Sequence, residues 1–164
     1  MNGQPAVAGP SHGSQAVRNL VLFRLDGRRC AVADFSVVEI LAAVATRPLP
    51  RQPEYIAGVF DLRGTIVPVL DLRVRFGLPP RLMELSDHLI VVRAAGRLLA
   101  LWVDAVEGFS PCAAGDWSNA GGLVVGDRSL AGVATLPDGL ATIHDVDAFV
   151  AQCEADAVFE GARS

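Results

Sequence analysis

Apolar positions fall along this chain in short runs bounded by turn-forming residues, the mark of a protein built mainly from β-strands. "LVLFRLDGRRCAVA", residues 20–33, sets two apolar-rich runs around Asp26-Gly27, a favoured tight-turn pair, and predicts a β-hairpin. "ADFSVVEILAAV" spaces its apolar residues both as a helix and as a strand, and reads as a short helical turn or bend. In "TRPLPRQPEYIAG", Pro48, Pro50 and Pro53 fix φ and remove N–H donors, which predicts an extended link outside the β-ladders. Pro53 could there open one helical turn through Glu54 and Tyr55. "VEGFSPCAAGDWSNAGGLVVGDRS" is expected to be a long loop of small residues. "HDVDAFVAQCEADAVF" places Val146, Phe149, Val150, Cys153 and Ala157 on one helical face, with Asp145 as N-cap and Asp147 at the favourable dipole end.

Two blocks recur. "IAGVFDLRGTIVPVLDL" at 56–72 returns as "LAGVATLPDGLATIHDV" at 130–146, so that Ala57, Gly58, Val59, Leu62 and Asp71 fall on Ala131, Gly132, Val133, Leu136 and Asp145. "FRLDGRRCA" at 23–31 shares Arg-x-x-Gly-Arg-x-x-Ala with "VRAAGRLLA" at 92–100, at an offset of 69 residues against 74 for the first pair. Two blocks in one order at nearly one offset imply a duplicated β unit of about five strands, with "GLPPRLMELSD" connecting the copies. The copies differ at one turn: Arg63-Gly64-Thr65 stands where the other has Pro137-Asp138-Gly139. Leu-Pro-Asp-Gly builds an ordinary turn, so the fold does not need an arginine there. Arg63 brings five donors in a planar fork, and an exposed fork can hold a partner.

Composition narrows the chemistry. The 164 residues suit one domain or two small intimate ones, and 51% apolar content fills a core. No lysine is present, which excludes a P-loop lysine, a Schiff-base lysine and a Ser-Lys dyad. Net charge is −4 but uneven: residues 47–81 hold six Arg against three acids, and residues 82–164 hold four Arg against twelve. Without a continuous basic face carrying aromatics, nucleic acid is not an expected partner. Cys30, Cys112 and Cys153 stand alone and no secretory segment opens the chain, which points to a reduced, cytoplasmic setting. No run reaches 18 apolar residues, so no direct membrane insertion is expected.

The search for a catalytic constellation returns none. "GGLVVGDR" at 121–128 has a phosphate-loop frame with Asp127 and Arg128 where lysine and a hydroxyl belong. His12, His88 and His144 are isolated, and Asp71 with Asp145 read as a strand-end or helix-cap device of the repeat. A small hydrolase using Ser110, Cys112 or His144 is the enzymatic alternative, with no triad to support it. Metal ligation and cofactors are likewise not expected.

"VVEI" at 37–40, "PRQPEYIAGVFDLRGTIVPVLDLRVRFGL" at 50–78 and "VVRAAGRLLALWVDAVEGF" at 91–109 resemble the CheW family, coupling proteins of bacterial chemosensory arrays, and equally the CheW-like regulatory domain of the histidine kinase CheA. The resemblance runs from about Leu20 to Val150 and rests on the Asn/Asp-Leu-Arg-Gly-x-x-[IV]-Pro-[IV]-x-Asp-Leu-Arg core. It implies a mainly β fold of two intertwined five-stranded small β-barrels, with a short helical turn in the first half and a C-terminal helix. The domain would span residues 18–150, with barrel one at about 20–80, barrel two at about 86–147 and strand exchange between them allowed. A flexible tail at 1–17 and a helix end with tail at 151–164 would flank it.

The resemblance also implies a non-enzymatic adaptor bridging the cytoplasmic tip of a methyl-accepting chemoreceptor to CheA, at membrane-associated receptor arrays. By position, a receptor-binding groove between barrels would include Val37, Glu39, Ile40, Gly58, Arg63, Val103 and Val106, with Glu39 approaching Arg63. Kinase-binding residues are not assigned. A divergent scaffold of a non-chemotaxis or motility-related system, binding kinase with altered or no receptor binding, is the alternative. Asp61 stands where the family usually has asparagine, and "CAVA" at 30–33 replaces a more common aromatic-Gly-hydrophobic entry.

Overall fold

Asp26 and Gly27 both take positive φ, 52° and 75°, as a two-residue turn must if its twist is to match the strands it joins. The same solution closes two further hairpins, at Arg63-Gly64 (49° and 91°) and Ala95-Gly96 (51° and 74°). The computed structural model describes residues 17–119 and 129–162. Of the expected tail at 1–17, residues 1–16 lie outside the described residues, as does the glycine frame at 121–128, while Val17 already belongs to a strand. The first hairpin is β1 (Val17–Leu25) with β2 (Arg28–Ala33), followed by β3 (Val37–Ala42) and the hairpin β4 (Ile56–Leu62) with β5 (Thr65–Asp71). The series then repeats: β6 (His88–Ala94) with β7 (Arg97–Val103), β8 (Ala105–Ala113), a short β9 (Trp117–Asn119), and β10 (Leu130–Leu136) with β11 (Gly139–His144).

The copies trade their first hairpins. One sheet runs β3-β6-β7-β5-β4 and the other β8-β1-β2-β11-β10-β9. Parallel contacts of β5 with β7 and of β2 with β11 join each borrowed hairpin to its hosts. Exchange explains why β1, β6 and β7 are apolar at nearly every position. Val21 and Phe23 face a central core shared by both sheets, while Leu20 and Leu22 face the inside of the six-stranded sheet. Likewise Ile90 and Val92 face the central core, whereas Leu89 and Val91 line the five-stranded sheet. A strand buried on both faces loses the apolar-polar alternation of a half-exposed one.

Among the described residues the sheets hold five and six strands, which fits the two small β units the resemblance implies, and neither closes by an unbroken ladder. In the first, Arg47 makes a single two-way bridge with Val59 of β4 (2.8 and 2.9 Å), so the proline link is free of ladders except there. In the second, the corresponding crossing lengthens into β9, which pairs with β10. The duplication holds in the registers too. β3 bulges at Val38, which is skipped between Val37↔Val92 and Glu39↔Val91, and β8 bulges at Glu107, skipped between Val106↔Phe23 and Gly108↔Leu22.

Three expectations need correction. The expected loop 106–129 is strand through Asn119 apart from a turn at Ala114–Asp116: its bulge, Gly108 (φ 123°) and Pro111 break the alternation while β8 still pairs along β1. In "ADFSVVEILAAV" only Asp34–Ser36 is helical, and Val37–Ala42 is β3, because pairing with β6 overrides an ambiguous local pattern. Residues around Pro53 form a turn, with Ile56 N–H donating to Pro53 O (3.0 Å), not a helix.

Asp71 and Asp145 do cap helices. Asp71 accepts from the N–H groups of Arg73 and Val74 at the start of α1 (Leu72–Arg75), and Asp145 accepts from Asp147 N–H at the start of α2 (Val146–Ala155). α2 buries Val146, Phe149, Val150 and Cys153 in the central core. The chain turns at exposed Ala157 (φ 58°), which therefore leaves the expected helical face, and Val158 with Phe159 of α3 (Val158–Ala162) return to the core.

Candidate functional site

The turn between β4 and β5 is held from within. Gly64 N–H donates to Asp61 Oδ1 (2.6 Å), so the acid at position 61 braces the turn by accepting where an asparagine carbonyl could do the same. Arg63 is thereby kept in the left-handed region, uncommon for a non-glycine residue, and its side chain projects with 70% exposure. Glu39, just past the bulge in β3, receives it. Arg63 Nη1 donates to Glu39 Oε2 (3.2 Å) and Nη2 to Oε1, a bidentate pair. The hydrogen bond from Arg63 holds the Glu39 carboxyl below its ordinary range, and Glu39 raises the guanidinium in turn.

The other expected site residues divide by burial. Val37, Ile40 and Val106 are partly buried against the central core, and Val103 is fully enclosed in it. Gly58 sits at the bulge of β4, where a Cβ would lie 2.7 Å from the carbonyl oxygen of Arg47. Val103 is thus core and Gly58 a point of close backbone approach, while Val37, Glu39, Ile40 and Val106 keep part of their surface open and Arg63 most of it. Beside Arg63 opens a mainly apolar cleft of about 760 Å³, walled by Leu41, Val44, Leu49, Phe60 and Ile66. Sequence reasoning missed it because the wall joins the proline link to two strands that pattern alone does not place together.

In the second sheet the same span is closed by a different arginine. Arg29 of β2 donates from Nε to Glu107 (2.9 Å) and from both Nη atoms to Asp138 in the β10–β11 turn (2.7 and 2.9 Å). Arg24 also reaches Glu107 (2.7 Å). These contacts hold the carboxyls of Glu107 and Asp138 down, with Arg29 the largest cause for each. Arg29 is only 14% exposed against 70% for Arg63. One sheet therefore joins strand to turn with an enclosed fork, and the other with a protruding one.

Behind this face the copies are clamped together. Arg73 of α1 reaches Asp104 (2.5 Å) and Asp26 (3.3 Å), and Arg81 reaches Asp104 (2.8 Å) and both oxygens of Asp87 (2.8 Å each). Trp102 Nε1 donates to Asp87 as well (2.9 Å). Burial pushes Asp87 up, but Arg81, Glu84 N–H and Trp102 together outweigh it and leave the group below its ordinary value.

The residues of the hydrolase alternative are not assembled. Ser110 and Cys112 on β8 donate to the neighbouring carbonyls of Pro111 and Ala113, with Cys112 inside the six-stranded sheet, whereas His144 on β11 turns to Phe76 and Phe149 of the central core. His144 is buried, stacked on Phe76 (4.8 Å between ring centres), with Thr142 Oγ1 3.1 Å from Nε2. Among the described residues no group of three or more His, Cys, Asp or Glu could hold a metal, and no helix is long and apolar enough to cross a membrane.

Two sheets built from duplicated halves with exchanged hairpins define a duplicated β module. The CheW-like domain model matches residues 19–154, and the chain belongs to that family. It is 33% identical over 94 residues to a probable chemotaxis protein CheW of Rhizobium etli, covering 57% of this chain and 61% of that protein. It is 32% identical over 96 residues to the chemotaxis protein CheW of Rhizobium meliloti, covering 58% and 62%. A shorter match, 46% over 50 residues, links it to protein FrzA of Myxococcus xanthus, over 30% and 31% of the two chains. The matches to the two Rhizobium proteins thus span about six-tenths of their length. The crystal structure of scaffolding protein TtCheW from Thermoanaerobacter tengcongensis superposes with a TM-score of 0.74 at 29% identity, covering 79% of this chain and 89% of that one.

Proposed function

We propose that this protein is a non-enzymatic adaptor of a bacterial chemosensory array, cytoplasmic and located at membrane-associated receptor clusters. It joins the tip of a methyl-accepting chemoreceptor to CheA through that kinase's CheW-like regulatory domain. One observation carries the receptor assignment. Of two duplicated turns, the one at Arg63 abandons an ordinary bend for a left-handed arginine that projects and is aimed by Glu39. The partly buried Val37, Ile40 and Val106 supply apolar surface from which a partner excludes water, while Gly58 and Val103 hold its contour. Family membership and the likeness to a scaffolding protein support the adaptor role. Weak interfaces suffice when one molecule engages two partners in a lattice, because the second contact forms at high effective concentration.

The test mixes the protein with CheA and receptor-tip fragments and measures which pairs and triples co-sediment. Wild type should bring all three down together, and Arg63→Ala should lose receptor while keeping kinase. Binding of kinase without receptor would instead assign the chain to a motility-related scaffold. Binding of neither would overturn the adaptor reading.

A further inference from the structure

The second copy shows what the first lacks. In the six-stranded sheet, Arg24 pairs with Glu107, the bulge residue of β8, and Arg29 pairs with Asp138 at the tip of the β10–β11 turn. Strand register and the repeat offsets carry these positions onto the five-stranded sheet: Arg24 onto Arg93, Glu107 onto Val38, Arg29 onto Leu98, and Asp138 onto Gly64. One arginine survives as Arg93, the other is replaced by Leu98, and both acids are gone. Val38 is an exposed apolar residue, and among the described residues no carboxylate pairs with Arg93.

Three of those four positions, Arg93, Leu98 and Gly64, border a cleft of about 480 Å³. Arg93 and Arg97 line it together with Thr65, Ile66, Leu98 and Phe159, and among the described residues no acidic one does. Arg97 is partly engaged: it reaches Glu154 (3.4 Å) and lies 5.0 Å from the centre of the Phe159 ring. Arg93 is exposed and carries an unspent charge beside an apolar wall. An arginine fork in such a setting favours a carboxylate, whose two oxygens match its donors, over a neutral acceptor.

We propose that this cleft is a second docking site, which receives a carboxylate side chain from an acidic, partly apolar segment of a partner protein. The guest acid takes the place that Glu107 and Asp138 fill in the second copy, and its apolar neighbours rest on Ile66, Leu98 and Phe159. The site is distinct from the Arg63 fork, two of whose five donors Glu39 engages, and it stands whether or not the receptor assignment holds.

The experiment titrates isotope-labelled full-length protein with an acetylated Glu-Leu-Glu-Leu-Glu-Leu amide and with its Gln-Leu analogue, following amide and arginine Nε resonances. The acidic peptide should shift Thr65, Gly96, Arg97 and the Arg93 side chain saturably, and the glutamine analogue should bind at least about tenfold more weakly. Arg93→Gln should abolish the shifts. Val38→Glu, which restores the acid of the second copy next to Arg93, should compete internally and do the same. Both positions are exposed, and an unchanged spectrum elsewhere checks that each variant is folded. Equal response to the two peptides, shifts that persist in Arg93→Gln, or shifts confined to Glu39 and Arg63 would each overturn the proposal.

Discussion

Gly58 and Gly132 hold the same place in the two sheets, each at a hairpin bulge directly under the backbone that crosses to it. A Cβ on Gly58 would meet the carbonyl oxygen of Arg47 at 2.7 Å, and one on Gly132 the carbonyl oxygen of Ser118 at 2.5 Å. The crossing is what fastens the first-sheet link and seats β9 on β10, so the glycines are there for close approach. Gly58 also has φ 148°, a conformation other residues rarely adopt.

Alanine at either position is therefore expected to destabilise the fold, by about 2–4 kcal/mol from overpacking against backbone, with added strain at Gly58. Urea unfolding followed by tryptophan fluorescence reads the loss. An alanine variant as stable as wild type would mean that the crossing strand moves away freely.

Arg63→Ala should weaken binding of the receptor tip about thirtyfold, the scale of an interface hot spot, while leaving the unfolding midpoint nearly unchanged because the pair is exposed. It should also free Glu39. With the guanidinium gone, the carboxyl returns from its lowered value toward the ordinary one, visible in a carbon-13 NMR titration of the Glu39 side chain. An unmoved titration would show that the pair is absent in solution.

Asp87 is almost fully buried and satisfied by Arg81, Trp102 and Glu84 N–H. Arg81→Met leaves that charge without its partner and should cost about 3–5 kcal/mol. Because the folded-state pKa lies below the unfolded one, the stabilisation is present above the ordinary carboxylate value, near pH 4, and is lost as pH falls through the folded value. Asp87→Asn should be less stable than wild type at neutral pH and flatter below about pH 4 in urea midpoints. Parallel acid curves would sink this account.

Burial pushes Cys153 up to about 12 and raises Cys30 and Cys112 as well. All three thiols are enclosed, so a thiolate-specific reagent at pH 8 should label none of them in the folded protein and all three after denaturation. Rapid native labelling would reveal local opening around α2 or β8.

Several elements were legible because their causes are local. Asp26-Gly27 announces its hairpin since few residue pairs accept two positive φ angles in succession, and Asp145 announces a helix start since its carboxylate has an orphan N–H to take. The Arg63 turn stood out for a comparable reason: its duplicate supplied a reference within the same chain. β8 and β9 were hidden because a bulge at Glu107, Gly108 and Pro111 erase the period-two pattern, and only pairing with β1 and β10 restores strand geometry. The short helical turn read into "ADFSVVEILAAV" is present at Asp34–Ser36 but goes no further, since β6 decides what the ambiguous run at 37–42 becomes.

The order of residues alone settled that this protein is a doubled β unit, where its tight turns and helix caps fall, and which copy carries the odd arginine, since each depends on neighbours a few positions away or on self-comparison. Tertiary structure decided the exchange of hairpins between sheets, the Glu39 partner of Arg63, the clamp around Asp87 and Asp104, and the clefts. Apart from the local reach of Arg81 and Glu84 N–H to Asp87, those join residues from 15 to more than 100 positions apart, and such contacts are fixed by burying both faces of β1, β6 and β7 at once rather than by any signal written along the chain.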